Sequence, residues 1–169
     1  AMEGEGQILS CDIHPHKLKL IDSGAERLGI SCLRTMLADA REHHAAWDRA
    51  ADVVIADVPC SGLGIIRKKP DIRYKNPEEL AQLPIIQREI LENVCRYVRS
   101  GGVLVYSTCT ILPEENEQVT EAFLQAHPEF ERTAFTLPLP IGSCDGQLTL
   151  WPQRHGTDGF YICRMRRKD

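Results

Sequence analysis

Two patterns of hydrophobic and polar residues alternate along the chain. Short apolar runs that are typical of strands cover residues 8–13, 31–37, 53–56 and 103–106. Helical spacing lies between them, as in the apolar stripe that begins after Pro15 and stops at Gly29. Proline fits the first turn of a helix and glycine its end, so both boundaries are marked locally. Strands that alternate with helices predict an α/β fold with a mostly parallel sheet.

Two further helix starts follow along the chain. Asn76-Pro77-Glu78-Glu79 supplies a capping side chain, a proline at the first helical position and an acidic first turn. We expect this helix to break at Pro84 and to stop at Gly101-Gly102. A third helix is predicted to begin at Pro113 and to end before Pro128.

The remaining apolar and polar stretches predict strands and a loop. Residues 53–56 are apolar throughout, which predicts a strand buried on both faces of the sheet. Residues 130–135 and 160–165 predict two late strands. Residues 136–158 are rich in proline and glycine, so we expect a loop there.

Length and charge narrow the class of protein. The chain has 169 residues, which predicts one domain over residues 1–169, and Ala1 before Met2 is typical of a cloning remnant ahead of a start. Its net charge of -4 argues against a simple nucleic-acid coat protein. No apolar run approaches the roughly 20 residues that span a bilayer, and the polar amino terminus does not resemble a signal peptide. We expect no membrane partner.

Cysteine and histidine usage indicates the compartment and argues against a metal. The chain has 7 cysteines, an odd number, and none forms a Cys-x-x-Cys pair, so reduced thiols and a cytoplasmic location are predicted. His14 lies close to His16, and His43 is next to His44, but no zinc-like spacing links these residues to cysteines. We therefore expect no metal site.

Four polar residues stand at or just beyond the ends of strand-like runs. They are Asp12, Asp39, Asp57 and Cys109. Ligands bind outside the carboxyl ends of strands in an open parallel sheet, so we expect these side chains to converge along one edge. The alternative is that acidic residues after strands only cap helices or start turns.

A basic segment follows the third strand. Its cations are Arg67, Lys68, Lys69, Arg73 and Lys75. Such a run is either a solvated loop or a surface that contacts RNA phosphates without reading sequence.

Two loops carry a specific resemblance to a known family. Asp57-Val58-Pro59-Cys60-Ser61-Gly62-Leu63-Gly64 and Tyr106-Ser107-Thr108-Cys109-Thr110 resemble the paired signature loops of RNA cytosine-C5 methyltransferases, above all the bacterial Sun/Fmu type that modifies 16S ribosomal RNA. Weaker matches surround Asp12 and Asp39 and cover residues 113–117 and 155–160. The resemblance implies a Rossmann-like fold, S-adenosylmethionine as cofactor and RNA as partner.

The family's chemistry depends on a thiol. Cytosine C5 is a poor nucleophile, and a thiolate that adds at C6 makes C5 able to take the sulfonium methyl group. A base then removes the C5 proton, and elimination releases the enzyme. By resemblance, Cys109 is the nucleophile and Cys60 assists release of the adduct. The resemblance also places Asp57 at the cytosine edge and the methionine end of the cofactor, Asp12 at the ribose hydroxyls and Asp39 near the adenine.

The resemblance is incomplete at the amino-terminal side. Such enzymes begin this domain with a strand and a glycine-rich loop that wraps the cofactor, and neither precedes Asp12 here. We therefore expect a partial domain with weak cofactor affinity. The strands that end at Asp12 and Asp57 would each expose an unpaired edge, which favours either direct closure of the gap or association into a homodimer.

Other functions remain open from the sequence. A catalytically inactive fragment, or an RNA-binding module that keeps the fold, is the main alternative to a methyltransferase. A DNA cytosine methyltransferase would use Cys60 as its nucleophile, and the Ser107-Thr108-Cys109 loop argues against it. The two cysteines could also form a redox pair or belong to the core, because free cysteine is often buried.

Overall fold

The computed structural model describes residue 2 and residues 5–169, which form two compact units, Ala1–His43 and His44–Asp169. In the first unit, strand β1 (Ile8–Asp12), helix α1 (Pro15–Arg27) and strand β2 (Leu33–Leu37) follow each other as predicted. The strands pair in parallel, from Ile8 beside Leu33 to Asp12 beside Leu37. Ala1, the predicted cloning remnant, lies outside the described residues.

The second unit contains a mixed sheet with strand order β3-β4-β9-β5, and β8 also pairs with β9. Its strands are β3 (Ala51–Asp57), β4 (Val98–Thr108), β5 (Phe130–Arg132), β8 (Gln147–Leu150) and β9 (Phe160–Arg167). Pairing is parallel between β3 and β4 and antiparallel wherever β9 takes part. A separate hairpin joins β6 (Phe135–Leu137) to β7 (Gly142–Cys144). Among the described residues, parallel pairing is thus confined to the strands β1 to β4.

Helix α2 (Pro77–Val94) continues across Pro84, so the predicted break at that residue is wrong. A proline removes one backbone hydrogen bond of a helix. The later part of α2 is held by packing, since Gln87, Leu91 and Val94 are buried. The predicted start is confirmed, because the Asn76 side chain accepts a hydrogen bond from the Glu78 N–H.

Helix α3 (Glu117–Ala126) begins later than the prediction from Pro113. Residues 113–116 form a turn instead, in which the Glu115 N–H donates to the Leu112 carbonyl and the Asn116 N–H to the Pro113 carbonyl. The side chains of Glu115 and Asn116 are buried and bond to neighbouring loops, which fixes this turn.

The expected loop over residues 136–158 also contains regular structure, namely part of β6, β7, β8 and the short helix α4 (Pro152–His155). The strand β8 forms because β9 offers it an antiparallel partner, a long-range contact that local composition does not reveal. Short 3-10 turns occupy Ala45–Trp47, Leu63–Ile65, Pro70–Tyr74 and Cys95–Tyr97.

The core lies on one face of the second unit's sheet. Its buried side chains are Leu91 and Val94 of α2, Val119 and Phe123 of α3, Leu104 and Tyr106 of β4, and Cys163 and Met165 of β9. The opposite face is open at β3, where Val53 is 54% exposed and Ile55 is 70% exposed. The prediction that β3 is buried on both faces is therefore wrong, since its apolar run is covered on one face only.

Candidate active site

The carboxyl ends of β3 and β4 lie side by side in the second unit. The strands are parallel, with Asp57 registered on Ser107. Cys60 follows β3 and Cys109 follows β4, and the Gly64 N–H donates a hydrogen bond of 3.0 Å to the Cys109 carbonyl. The structure thus brings the two predicted cysteine loops together at one edge of the sheet.

The two cysteines form a thiol pair, with 3.2 Å between Cys60 Sγ and Cys109 Sγ. Both residues are partly buried. The hydrogen bond from Cys60 lowers the pKa of Cys109, although burial opposes this shift. The same hydrogen bond, together with burial, raises the pKa of Cys60. The first thiolate of the thiol pair therefore forms on Cys109, and Cys60 keeps its proton and donates it to that thiolate.

Two charged side chains have opposite effects on the pKa of Cys109 in the thiol pair. The Asp57 carboxylate raises the pKa of Cys109, and the Lys75 ammonium lowers it. Lys75 Nζ donates to the Ser61 carbonyl at 2.8 Å, which fixes the cation beside the Cys60 loop. The Ser107 hydroxyl donates to Asp57 Oδ1 at 3.0 Å and orients that carboxylate. Asp57 itself is exposed, so its carboxylate can meet a substrate.

Buried hydroxyl and amide groups fix both loops around the thiol pair. The Ser61 and Thr110 hydroxyl oxygens lie 2.7 Å apart. The Thr108 hydroxyl donates to Asn116 Oδ1 at 2.6 Å, and Asn116 Nδ2 donates to the Thr110 carbonyl at 3.2 Å. All four residues are fully buried. The residues on either side of Cys109 therefore have little conformational freedom.

A third loop packs against the first at two glycines. The Gly159 N–H donates to the Gly64 carbonyl at 2.8 Å. A Cβ atom on Gly64 would collide with the Gly159 carbonyl, and one on Gly159 would lie 2.6 Å from the Gly64 Cα. Only glycine allows this approach, so the segment at 155–160 that the sequence singled out does reach the Cys60 loop.

Sequence reasoning missed three residues of this site. Ser107 orients Asp57, while Gln87 and Glu115 contact the peptide around Cys60 through Pro59 and Ser61. The available signals were the polar Gln87 directly after the apolar residues 83–86 of α2, and the acidic pair that follows Pro113. Neither signal says which loop the side chain would reach.

The first unit places the other two predicted carboxylates at neighbouring strand ends. Asp12 is the last residue of β1, and Asp39 lies two residues beyond the end of β2. The Ala38 N–H donates to the Asp12 carbonyl at 3.3 Å and joins the two segments. The predicted convergence of these carboxylates with Asp57 and Cys109 concerns both units and stays a prediction.

Both carboxylates of the first unit are held by local partners. Asp12 accepts the His14 N–H at 2.8 Å and lies 3.3 Å from Lys17 Nζ. Burial acts to raise its pKa, but these hydrogen bonds and the Lys17 charge hold the pKa below its usual value. The Arg41 guanidinium bonds to both oxygens of Asp39 and lowers the pKa of that carboxyl. Two ionised acceptors at adjacent strand ends suit the hydroxyl and amino groups of a nucleoside.

The basic segment is exposed and lies around the 3-10 turns that follow Cys60. Its five cations are Arg67, Lys68, Lys69, Arg73 and Lys75. Lys68 forms an ion pair with Asp158, and Lys75 bonds to the Cys60 loop as described. Contact between this segment and RNA stays a prediction.

The described residues lack the features of two other classes of site. None of their helices combines the length and apolar character that crossing a membrane requires. Over the same residues, no group of three or more histidine, cysteine, aspartate or glutamate side chains is arranged to hold a metal ion.

Comparison with known sequences gives a match along almost the whole chain. Residues 1–166 match the family model described as 16S rRNA methyltransferase RsmB/F. The chain is 42% identical to the probable ribosomal RNA small subunit methyltransferase B of Bacillus subtilis, over 99% of the chain and 39% of that protein. The chain thus spans about two-fifths of the length of that relative.

Comparison with solved structures gives the same result at the level of the fold. The crystal structure of PH0851 superposes with a TM-score of 0.88 and 34% identity, over 98% of this chain and 38% of that one. A methyltransferase homolog protein from Pyrococcus horikoshii superposes with a TM-score of 0.75 and 25% identity, over 98% of this chain and 55% of that one. The predicted α/β, Rossmann-like methyltransferase fold is confirmed.

Proposed function

Because the chain belongs to the 16S rRNA methyltransferase RsmB/F family, we propose that it carries the site for methylating C5 of a cytosine in RNA, with Cys109 as nucleophile. The observation that carries this proposal is the 3.2 Å contact between Cys60 Sγ and Cys109 Sγ. The thiolate is the reactive form of cysteine, and a lowered pKa increases its fraction at neutral pH. Ribosomal RNA of the small subunit is the proposed substrate class.

The chain's own residues account for addition and release. The Cys109 thiolate adds to C6 of the cytosine, a C6–S bond forms, and electron density moves to C5. S-adenosylmethionine, when bound, supplies the methyl group that C5 accepts. A base then takes the C5 proton, the C5–C6 double bond forms again, and the electron pair of the broken C6–S bond returns to Cys109. The hydrogen bond from Cys60 stabilises the departing thiolate, since a thiol of lower pKa leaves faster.

Asp57 is proposed to bind the cytosine edge. Its carboxylate is exposed, and the Ser107 hydroxyl fixes one of its oxygens, so the other can accept from the base. A protonated N3 and the N4 amino group are donors, which fits a carboxylate acceptor. The target base must be unstacked to reach this edge, so single-stranded or flipped RNA is the expected form.

The first unit is proposed to supply two contacts to the cofactor. Asp12 would accept from the ribose hydroxyls of S-adenosylmethionine, and Asp39 would lie on its adenine side. The position of both carboxylates at the ends of adjacent parallel strands supports these roles. The basic segment would contact RNA phosphates, and a protein that acts on ribosomal RNA would work in the cytoplasm.

Trapping on RNA that carries 5-fluorocytosine tests the nucleophile. Fluorine at C5 cannot leave as a proton does, so the covalent adduct persists and can be separated on a denaturing gel. With S-adenosylmethionine present, we expect an adduct for the unmodified chain and for Cys60→Ala. We expect its complete loss in Cys109→Ala, because the bond to C6 can then no longer form.

Three other outcomes decide between the alternatives. An adduct that is lost in Cys60→Ala but retained in Cys109→Ala would assign the nucleophile to Cys60. An adduct on DNA but not on RNA would overturn the substrate class. RNA binding without any adduct would support a non-catalytic RNA-binding module that keeps the fold.

A further inference from the structure

A buried carboxylate lies beneath the Cys60 loop. Glu115 is 2% exposed, and its Oε2 accepts two hydrogen bonds of 2.9 Å, one from the Ser61 N–H and one from Gln87 Nε2. Gln87 is fully buried, and its Nε2 also donates to the Pro59 carbonyl at 2.9 Å. Glu115 and Gln87 together bind the peptide groups immediately before and after Cys60.

The backbone of Glu115 is anchored to the strand that leads to the other cysteine. Tyr106 of β4 is fully buried, and its hydroxyl donates to the Glu115 carbonyl at 2.6 Å. Three residues after Tyr106, the chain reaches Cys109. Glu115 therefore joins the backbone around Cys60 to the strand that positions Cys109, and so bears on the distance between the two sulfurs.

The hydrogen-bond network of Glu115 and Gln87 lowers the stability of the fold. Within the described part of the chain, Glu115 Oε1 and Gln87 Oε1 are buried without a hydrogen-bond partner. An incompletely satisfied buried polar network is less stable than apolar packing of the same volume. Such local violations of the packing rules concentrate at functional sites.

We propose that Glu115 and Gln87 are positioning residues that hold the peptide on both sides of Cys60 and so keep its thiol in hydrogen-bond contact with Cys109. Their consequence for turnover rests on the proposed function, but the contact between the thiols does not. Neither residue touches the substrate. They act through Cys60, which tunes the reactivity of Cys109.

The test is the pH dependence of alkylation of Cys109 by iodoacetamide, followed on its peptide by mass spectrometry. In the unmodified chain, the rate should reach half its maximum below the pH of an ordinary cysteine, about 8.5. Glu115→Leu removes both hydrogen bonds at Oε2, so this midpoint should move up and the rate at neutral pH should fall. At neutral pH, each unit of increase in the pKa of Cys109 lowers its thiolate fraction by roughly tenfold.

Matched variants separate positioning from general loosening of the fold. Glu115→Gln keeps a carbonyl oxygen that can accept from Ser61 and Gln87, so its midpoint should stay near that of the unmodified chain. Thr120→Val removes an equally buried hydroxyl that bonds to Tyr161, and should leave the midpoint unchanged even if the melting temperature falls. Gln87→Leu should raise the midpoint by a smaller amount, and serves if Glu115→Leu does not fold.

A double variant tests whether the effect passes through Cys60. Cys60→Ala alone should raise the midpoint of Cys109, and adding Glu115→Leu should raise it no further. A folded Glu115→Leu protein with an unmodified midpoint would overturn the proposal, as would an equal further shift in the Cys60→Ala background. The assay contains no RNA or cofactor, so a shifted midpoint together with failed 5-fluorocytosine trapping would overturn the proposed function and leave the positioning role standing.

Discussion

At the scale of single residues, the reactivity of Cys109 is set largely by another cysteine. The hydrogen bond from Cys60 contributes most to stabilising the Cys109 thiolate, and the Lys75 ammonium stabilises it further. Other cysteines of the chain have the opposite bias, since burial raises the pKa of Cys95 to about 11 and that of Cys163 to about 11. The hydrogen bond from Cys60 thus favours the reactive thiolate form of Cys109.

The same proximity predicts a disulfide under mild oxidation. Hydrogen peroxide should oxidise the Cys109 thiolate to a sulfenic acid, which condenses with the Cys60 thiol to a disulfide and releases water. The sulfurs are 3.2 Å apart, so only a small movement brings them to the bonding distance of about 2.05 Å. Peptide mass spectrometry should find the Cys60–Cys109 cross-link, and dithiothreitol should reverse it.

Cys11 and Cys144 provide the internal comparison for this oxidation. Cys11 is exposed and Cys144 is partly exposed, but burial raises the pKa of both thiols. They should therefore react more slowly with peroxide than Cys109 at neutral pH. Faster oxidation of either one, without a Cys60–Cys109 cross-link, would contradict the assigned thiolate.

Sequence alone located the chemistry of the site but not its support. Asp57, Cys60 and Cys109 could be picked out because they follow strands, and parallel strands bring their carboxyl ends to one edge. Gln87 and Glu115 could not be placed, because their bonds to Pro59 and Ser61 join residues 28 and 54 positions apart. Hydrogen bonds of that separation depend on tertiary packing, which local patterns do not encode.

At the scale of elements, local signals predicted starts better than interruptions. The capping side chain of Asn76 begins α2 as expected, whereas Pro84 does not break it because buried residues hold the later part of the helix. The turn at 113–116 replaces the expected helix start because Glu115 bonds inward. Strand β8 was missed because it forms by pairing with β9, and local composition does not reveal that partner.

Loss of the cap at Asn76 should destabilise the second unit measurably. Asn76→Ala removes the acceptor for the Glu78 N–H, and such a change typically costs about 1 kcal/mol in the free energy of unfolding. Urea denaturation should show a lower midpoint with an unchanged slope. Asn76→Asp keeps an acceptor at the same position and serves as the control. An equal loss in both variants would show that the cap is not the cause.

At the scale of the whole molecule, two sheets each end in an unpaired strand. Strand β1 pairs only with β2, and β3 pairs only with β4, over the part of the chain that the structure describes. The open face of β3 also exposes Val53 and Ile55. An apolar surface beside an unpaired edge favours association with another chain. This agrees with the unpaired edges expected from the sequence, while the homodimer stays a prediction.

We expect the 169-residue chain to self-associate as its concentration rises, through the exposed face of β3. Sedimentation velocity over a concentration series should show a shift from monomer towards dimer. Ile55→Lys places a charge in the middle of that face and should weaken the association, because burying an unpaired charge is costly. Leu139→Lys changes an apolar side chain that is 89% exposed in a turn, and should leave association unchanged. A monomer at every concentration, or equal weakening by both variants, would show that the face of β3 is not the interface.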